Sequence, residues 1–128
     1  SRDAAQSAVI RVQNPLTLEP RAEPQPDVAL LRLPIERYAE AHARPDDVRL
    51  VIEVADTSAE YDRDLKIPLY ARARIPEAWL VNLPSEGIEV YRQPSPRGYA
   101  DVRTAGRGDT LTPLFIQAIT LEVDDILG

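Results

Sequence analysis

Residues 49–83 read RLVIEVADTSAEYDRDLKIPLYARARIPEAWLVNL, and this stretch decides the fold. Leu50-Val51-Ile52-Glu53-Val54 is a near-continuous apolar run, the mark of a central strand covered on both faces. Asp56-Thr57-Ser58 follows with helix-capping chemistry, and the spacing predicts a helix that starts near Tyr61 to Asp64 and runs to about Ala73. Pro68 conflicts with a helix interior unless regular helix begins with Asp64 as its cap. Ile75-Pro76 ends the helix, and Ala78 to Leu83 is the next strand, with Trp79 as a core anchor. A strand–helix–strand unit of this kind predicts an α/β fold built on a mixed sheet. Glu53 is the awkward residue: a carboxylate in a buried strand is costly unless a cation satisfies it.

Outward from this unit the chain is punctuated by turns. Towards the N-terminus, Ser7 to Val12 reads as a strand, followed by a turn at Asn14-Pro15, an extended piece at Leu16-Thr17-Leu18 and a proline-rich connector from Arg21 to Pro26. Asp27 opens the apolar run Val28 to Leu31, a second buried strand. Ile35 to Ala43 forms two helical turns or a long loop, and Pro45-Asp46-Asp47 is turn chemistry. Towards the C-terminus, Pro84 to Gly87 signals a hairpin leading into Ile88 to Tyr91. Tyr99 to Thr104 is a further strand, Gly106 to Asp109 a turn, and Thr120 to Leu127 a short strand with a helical turn capped near Asp124.

The 128 residues are enough for one domain and too few for two. Fifteen basic against 21 acidic residues leave a net charge of −6. That balance argues against nonspecific affinity for nucleic acid, which needs positive charge on the binding face. There is no cysteine, so disulfides, thiolate zinc sites and a cysteine nucleophile are excluded. No apolar run approaches the ~18 residues that span a bilayer, so the expectation is a cytoplasmic protein with no membrane partner. Methionine is absent even at position 1, so the chain reads as a fragment of something longer.

The chemistry-bearing residues are Asp27, Glu53 and Lys66. If the two strands carrying the carboxylates pair antiparallel, the start of one lies beside the end of the other, and Asp27 meets Glu53 at one edge of the sheet. The helix leaving the second strand can return Lys66 to the same place. Two carboxylates with the Val54 carbonyl and waters make an oxygen-rich set suited to Mg²⁺ or Mn²⁺. Such an ion lowers the pKa of a bound water and offsets charge on phosphate, and a lysine supplies a point charge beside it. Lys66 is also the only lysine, against fourteen arginines.

The order Pro26-Asp27, Glu53-Val54, Lys66 resembles the PD-(D/E)XK nuclease superfamily, and within it the Uma-type branch of restriction endonucleases. QPDVALLR, VIEVADTSAEYDRDLKIPLYARA and IPEAWLVNL are similar to that branch's signature blocks, and GDTLTPL with LEVDDILG to its usual ending. The standard superfamily pattern places lysine two residues after the glutamate, where this chain has Ala55; in the Uma-type pattern it has moved to the following helix. The resemblance implies a restriction-endonuclease-like mixed sheet flanked by helices with a hairpin extension. It implies a Mg²⁺-dependent endonuclease acting on DNA as a homodimer, with Asp27 and Glu53 as metal ligands and Lys66 as the catalytic lysine. Three departures stand out. Arg74 occupies the place of a usual glycine, Asn82 that of a frequent aspartate, and an N-terminal helix with an acidic residue facing the site, together with a further core strand, would lie before Ser1.

Each residue also has a bland reading. Glu53 could be satisfied by a neighbouring arginine, and Lys66 could be no more than an i,i+4 partner of Asp62, worth ~0.3–0.5 kcal/mol. Asp62 is expected as an exposed helix carboxylate, with reach into the site as the alternative, and Tyr70, on the Lys66 face of the helix, as a packing residue, with a hydrogen bond to the site as its alternative. His42 lies in the uncertain connector, where a general-base role is not expected. Arg92, Arg97, Arg103 and Arg107, against Asp101 alone, form either a DNA-facing hairpin or a solvated surface. Arg107-Gly108-Asp109 is read as a turn. A two-carboxylate sugar hydrolase leaves the lysine without a task. A nuclease-fold module that binds or dimerises without turnover is the alternative function.

Overall fold

The computed structural model describes residues 9–12, 27–31 and 45–128. The turn at Asn14-Pro15, the piece at 16–18, the connector at 21–26 and the 35–43 segment with His42 lie outside the described residues. A six-stranded mixed sheet forms the centre, its strands lying in sequence order. They are β1 (Val9–Val12), β2 (Val28–Leu31), β3 (Val48–Ala55), β4 (Glu77–Asn82), β5 (Gly87–Ser95) and β6 (Gly98–Gly106). Neighbours pair antiparallel except β3 and β4, which are parallel. The parallel pair needs a crossover, and the helix between them supplies it. β7 (Thr110–Leu111) and β8 (Leu121–Glu122) form a small second ladder, followed by the terminal helix α2 (Val123–Leu127). Glu122 rather than Asp124 is the cap of that helix. Among the described residues no helix is long and apolar enough to cross a membrane.

Alternation along the strands divides the core into two layers. Val51, Ala55, Ala78 and Leu80 pack on one face with Ile67, Tyr70 and Ile75 of the crossover segment. Leu50, Trp79, Val81, Ile88 and Val90 pack on the other, under Val123 of α2 and the partly buried Phe115 and Leu121. Glu53 shares its parity with Val51 and Ala55, so the pleat alone aims it at the helix layer. β4 is the most buried strand, with Trp79 1% exposed, the anchor anticipated; the expected central strand β3 is less fully covered, its Val54 being 44% exposed.

The crossover helix α1 covers residues 59–72, beginning two residues earlier than its capping pattern suggests and passing straight through Pro68. Proline has no N–H and its ring collides with the carbonyl four residues back, here Asp64. The turn just before it, Asp62–Lys66, is π-helical, and the Ile67 N–H reaches the Asp62 carbonyl five residues back. Widening the helix there makes room for the ring. Ile67, Tyr70 and Ala71 form the buried stripe at i, i+3 and i+4. Burial of a side chain such as Ile67 contributes about 1.5–3 kcal/mol.

The helix stops in a Schellman arrangement: Ile75 N–H donates to the Tyr70 carbonyl and Arg74 N–H to the Ala71 carbonyl. The residue in the left-handed position is Arg74, at φ 64°. This is the position where the resembled family uses glycine, and an L side chain there costs about 1 kcal/mol. Asn82, the second departure, organises the β4–β5 turn, its Oδ1 accepting the Ser85 N–H at 3.3 Å.

Candidate active site at the C-terminal end of β3

β2 and β3 do pair antiparallel, with Val28 opposite Ile52. One more step of that register sets Asp27 opposite Glu53. Asp27 is held there by the Val54 N–H, which donates to its Oδ2 at 2.6 Å. The backbone polarity of this strand end can be read from its neighbour. The Leu83 N–H donates to the Ala55 carbonyl, so Ala55 faces β4 and Val54 faces the β2 side. The Val54 carbonyl therefore points the same way as its N–H, towards Asp27.

Glu53 is 1% exposed. Lys66 Nζ donates to its Oε2 at 3.1 Å and the Tyr70 hydroxyl to its Oε1 at 3.1 Å. Lys66 also lies 3.6 Å from Asp62 Oδ1. Asp62 is 4% exposed and accepts the Ser58 hydroxyl on Oδ2 at 3.2 Å. Ser58 thus spends its side chain on the site and makes no side-chain cap. Both readings of Lys66 hold at once: it pairs with Asp62 one turn back and, more closely, with Glu53.

One expectation needs correction. Asp62 is a buried member of the cluster, not an exposed helix carboxylate, because the π-helical turn points it inward. Tyr70 is fully buried and packs as expected, and its hydroxyl also makes the hydrogen bond to the site that was its alternative, to Glu53. The signal in the sequence is their spacing: Asp62, Lys66 and Tyr70 stand four apart, on one helix face.

Burial pushes the Glu53 carboxyl up to about 7; Lys66 opposes that rise, Asp27 adds to it and the Tyr70 hydrogen bond opposes it. Burial alone would lower the Lys66 ammonium, but the Glu53 charge, with Asp62 and Asp27 behind it, outweighs burial and raises it. Burial and the adjacent Glu53 raise Tyr70, keeping its proton on the phenol as a donor. One lysine therefore does not fully balance the carboxylates around it.

A second pair on the same face was not anticipated. Glu89 lies two strands from Glu53 across Leu80, in one row. Arg63 grips it with Nε to Oε1 at 2.9 Å and a terminal nitrogen to Oε2 at 2.5 Å, and the Tyr91 hydroxyl donates to Oε1. Those Arg63 hydrogen bonds hold the Glu89 carboxyl below its ordinary range. Three of the four hairpin arginines are likewise engaged within the chain. Arg92 reaches Glu77, Arg103 reaches Asp101, and Arg107 reaches Glu86 and Asp124.

A divalent cation fits the donor set only in a restricted way. Among the described residues no group of three or more histidine, cysteine or acidic side chains is placed to hold a metal. Asp27, Glu53 and the Val54 carbonyl are hard oxygen donors on one side of the strand end, leaving the remaining positions to water. That is the manner in which Mg²⁺ is usually bound. A cation there would also oppose the effect of burial that keeps the Glu53 pKa high.

Comparison with known proteins agrees with this architecture. A crystal structure described as a "putative nuclease belonging to DUF820", from Anabaena variabilis, superposes with a TM-score of 0.72 at 17% identity. The match covers 96% of this chain and 69% of that one. At that identity the likeness is one of fold, which is α/β and restriction-endonuclease-like. No curated protein matches. The family Uma2, described as "Putative restriction endonuclease", matches residues 2–124, nearly the whole sequence, and the chain belongs to that family.

Proposed function

We propose that this domain is a Mg²⁺- or Mn²⁺-dependent endonuclease that hydrolyses phosphodiester bonds in DNA, in the cytoplasm and as a homodimer. The observation that carries the reading is the convergence of three chain-distant residues. Asp27 sits in register with Glu53, and Lys66 donates to Glu53 at 3.1 Å. Family membership makes nucleic acid the substrate class.

In this reading Asp27, Glu53 and the Val54 carbonyl hold the ion, which supplies Lewis acidity to a water and to the scissile phosphate when bound. Lys66 gives up part of its contact with Glu53 and turns its ammonium to the phosphate oxygens, where negative charge builds up. A compact, fully protonated point charge suits that task, and the raised Lys66 pKa keeps it charged at neutral pH. Asp62, paired to Lys66 and fixed by Ser58, limits the arc over which Nζ can move. Tyr70 holds the second oxygen of Glu53, so the carboxylate keeps one orientation. The attacking water oxygen forms the new bond to phosphorus and releases its proton to solvent, the bond to the leaving sugar oxygen breaks, and that oxygen ends protonated by solvent.

The second reading, a nuclease fold that binds or assembles without turnover, is favoured by the net charge of −6 and by the engagement of three of the four hairpin arginines with acidic partners. Cleavage of supercoiled plasmid, linear duplex and single-stranded DNA in Mg²⁺ or Mn²⁺ separates the two. The nuclease reading expects cleavage that EDTA abolishes and that Lys66→Ala reduces by at least about 10²-fold. Cleavage that survives both treatments removes the mechanism, and a folded protein with no cleavage on any substrate supports the idle module.

A further inference from the structure

β6 is the last strand of the sheet, and among the described residues nothing pairs with its outer edge. Most of its middle is open: Ala100, Val102, Arg103 and Thr104 are exposed, with Val102 at 52%. A nine-residue edge strand with an apolar residue at its centre is a template for another strand unless something blocks it. Its sequence, Gly98-Tyr-Ala-Asp-Val-Arg-Thr-Ala-Gly106, has a symmetry that bears on which strand that is. Antiparallel to a copy of itself about Val102, it sets Gly98 against Gly106, Ala100 against Thr104, and Asp101 against Arg103.

Backbone polarity agrees with that register. The Leu83 N–H points to Ala55 of β3, so Asn82, Leu80 and Ala78 of β4 face β5. Carried across β5, the alternation makes Ile88, Val90 and Arg92 the residues that bond to β6, opposite Ala105, Arg103 and Asp101. The N–H and carbonyl groups of Ala100, Val102 and Thr104 are then the ones aimed outwards. At the end of the strand Gly106 has its outward N–H occupied by Asp109 Oδ2 at 2.8 Å, which closes the edge there and leaves 100–104 as the open segment.

We propose that the outer edge of β6 is a homodimer interface, in which two copies pair antiparallel about Val102 and join their sheets into one. Val102 meets the second copy's Val102 as a hydrogen-bonding pair, and Ala100 exchanges backbone hydrogen bonds with its Thr104. Asp101 and Arg103 fall in the non-hydrogen-bonded positions, where facing side chains are closest. Within one chain these two pair at 3.2 Å on the same face of the strand, with Arg103 72% exposed. In the dimer each gains an opposite charge directly across the strand, twice over. A two-fold axis through the edge leaves both α1 helices on the same face of the joined sheet. The interface lies three strands from β3, so the inference stands or falls separately from any activity at Glu53.

Charge reversal tests it, with mass measured by sedimentation velocity and circular dichroism confirming the fold. The wild-type chain is expected to be dimeric. Asp101→Arg sets like charges opposite one another at both crossings, and so does Arg103→Asp. Each is expected to weaken association by roughly tenfold or more. The double variant Asp101→Arg with Arg103→Asp restores opposite pairs and should recover the dimer. Mixing the two single variants should give a heterodimer, because one copy is then positive and the other negative at every crossing. In the wild type, amide exchange at Ala100, Val102 and Thr104 should slow as protein concentration rises. A monomer at all concentrations, or single variants that dimerise as well as wild type, would overturn the proposal.

Discussion

The two faces of this sheet each bury a glutamate, and they treat it in opposite ways. On the face away from α1, Glu77 is fully buried, and three groups meet it. The Trp79 indole donates at 2.8 Å and Arg92 Nε at 2.9 Å, both to Oε2, and the Leu114 N–H donates to Oε1 at 3.0 Å. Arg92 continues to the Thr112 carbonyl at 2.8 Å, tying the C-terminal segment to the sheet. On the α1 face, Glu53 is equally buried but meets one lysine and one phenol, with Asp27 adjacent. Glu77 has its charge matched by a guanidinium and a full set of donors. Burial pushes the Glu53 carboxyl up to about 7, and a single lysine offsets only part of that rise. Burial is common to both glutamates; incomplete compensation is what makes Glu53 the candidate. Glu89, on the same face as Glu53 but held by Arg63, shows that the shortfall is local to the end of β3.

The comparison breaks most visibly by truncation. Glu77→Ala leaves Arg92, the Trp79 indole and the Leu114 N–H without their acceptor in a buried site, so the expected loss is ~3–5 kcal/mol. For a chain of this length that lowers Tm by roughly 10–20 °C, measurable by calorimetry. Glu53→Gln in the metal-free protein should leave Tm unchanged or raise it, since it relieves an incompletely paired charge. A large destabilisation there would mean that the two glutamates are equivalent after all.

Acidity sharpens the same contrast. The Glu53 pKa is raised in the folded state, so the native protein binds more protons than the unfolded one between about 4.5 and about 7. Stability must then fall as pH rises through that window, by an amount on the order of 3 kcal/mol. Denaturant titrations at pH 4.5 and 7.5 should show the slope in wild type and its loss in Glu53→Gln. Mg²⁺ should recover stability at the upper pH, because a ligand that binds only the ionised native site stabilises it. A pH slope unaffected by Glu53→Gln would assign the effect to another group.

The smallest expected effect belongs to the phenol. Tyr70→Phe removes the hydrogen bond that favours ionised Glu53, so the carboxyl pKa should move further up. The stability cost, about 1–2 kcal/mol, should be larger above pH 7 than below 5. NMR titration of the Glu53 side chain reads the shift directly. A downward shift would mean that Tyr70 does not donate to the ionised carboxylate.

Much of this was legible in the residues. Val28 to Leu31 coincides with β2, and the long apolar run from Leu50 is β3, because continuous hydrophobicity needs cover on both faces and little else. The hairpin of β5 and β6 follows its turn signals, although both strands extend beyond the limits expected from sequence. Asp27, Glu53 and Lys66 were named from their order in the chain, and the structure brings all three together. Helix details were less accessible. Pro68 suggested a late start, and only the wide turn at Asp62–Lys66 reconciles it with a helix from residue 59. That same turn buries Asp62, which local pattern assigned to solvent.

The sequence by itself determined the α/β class, the central strand and the candidate residues Asp27, Glu53 and Lys66, since these depend on side-chain type and local periodicity. Tertiary structure alone decided how each charge is paired. Arg63 reaches Glu89, Arg92 reaches Glu77, and Lys66 is left to Glu53, across 26, 15 and 13 residues of chain. No local pattern encodes those choices, because they follow from sheet register and from which face each strand turns inwards. The physical consequence is one glutamate left short of positive charge, beside Asp27 at the end of β3.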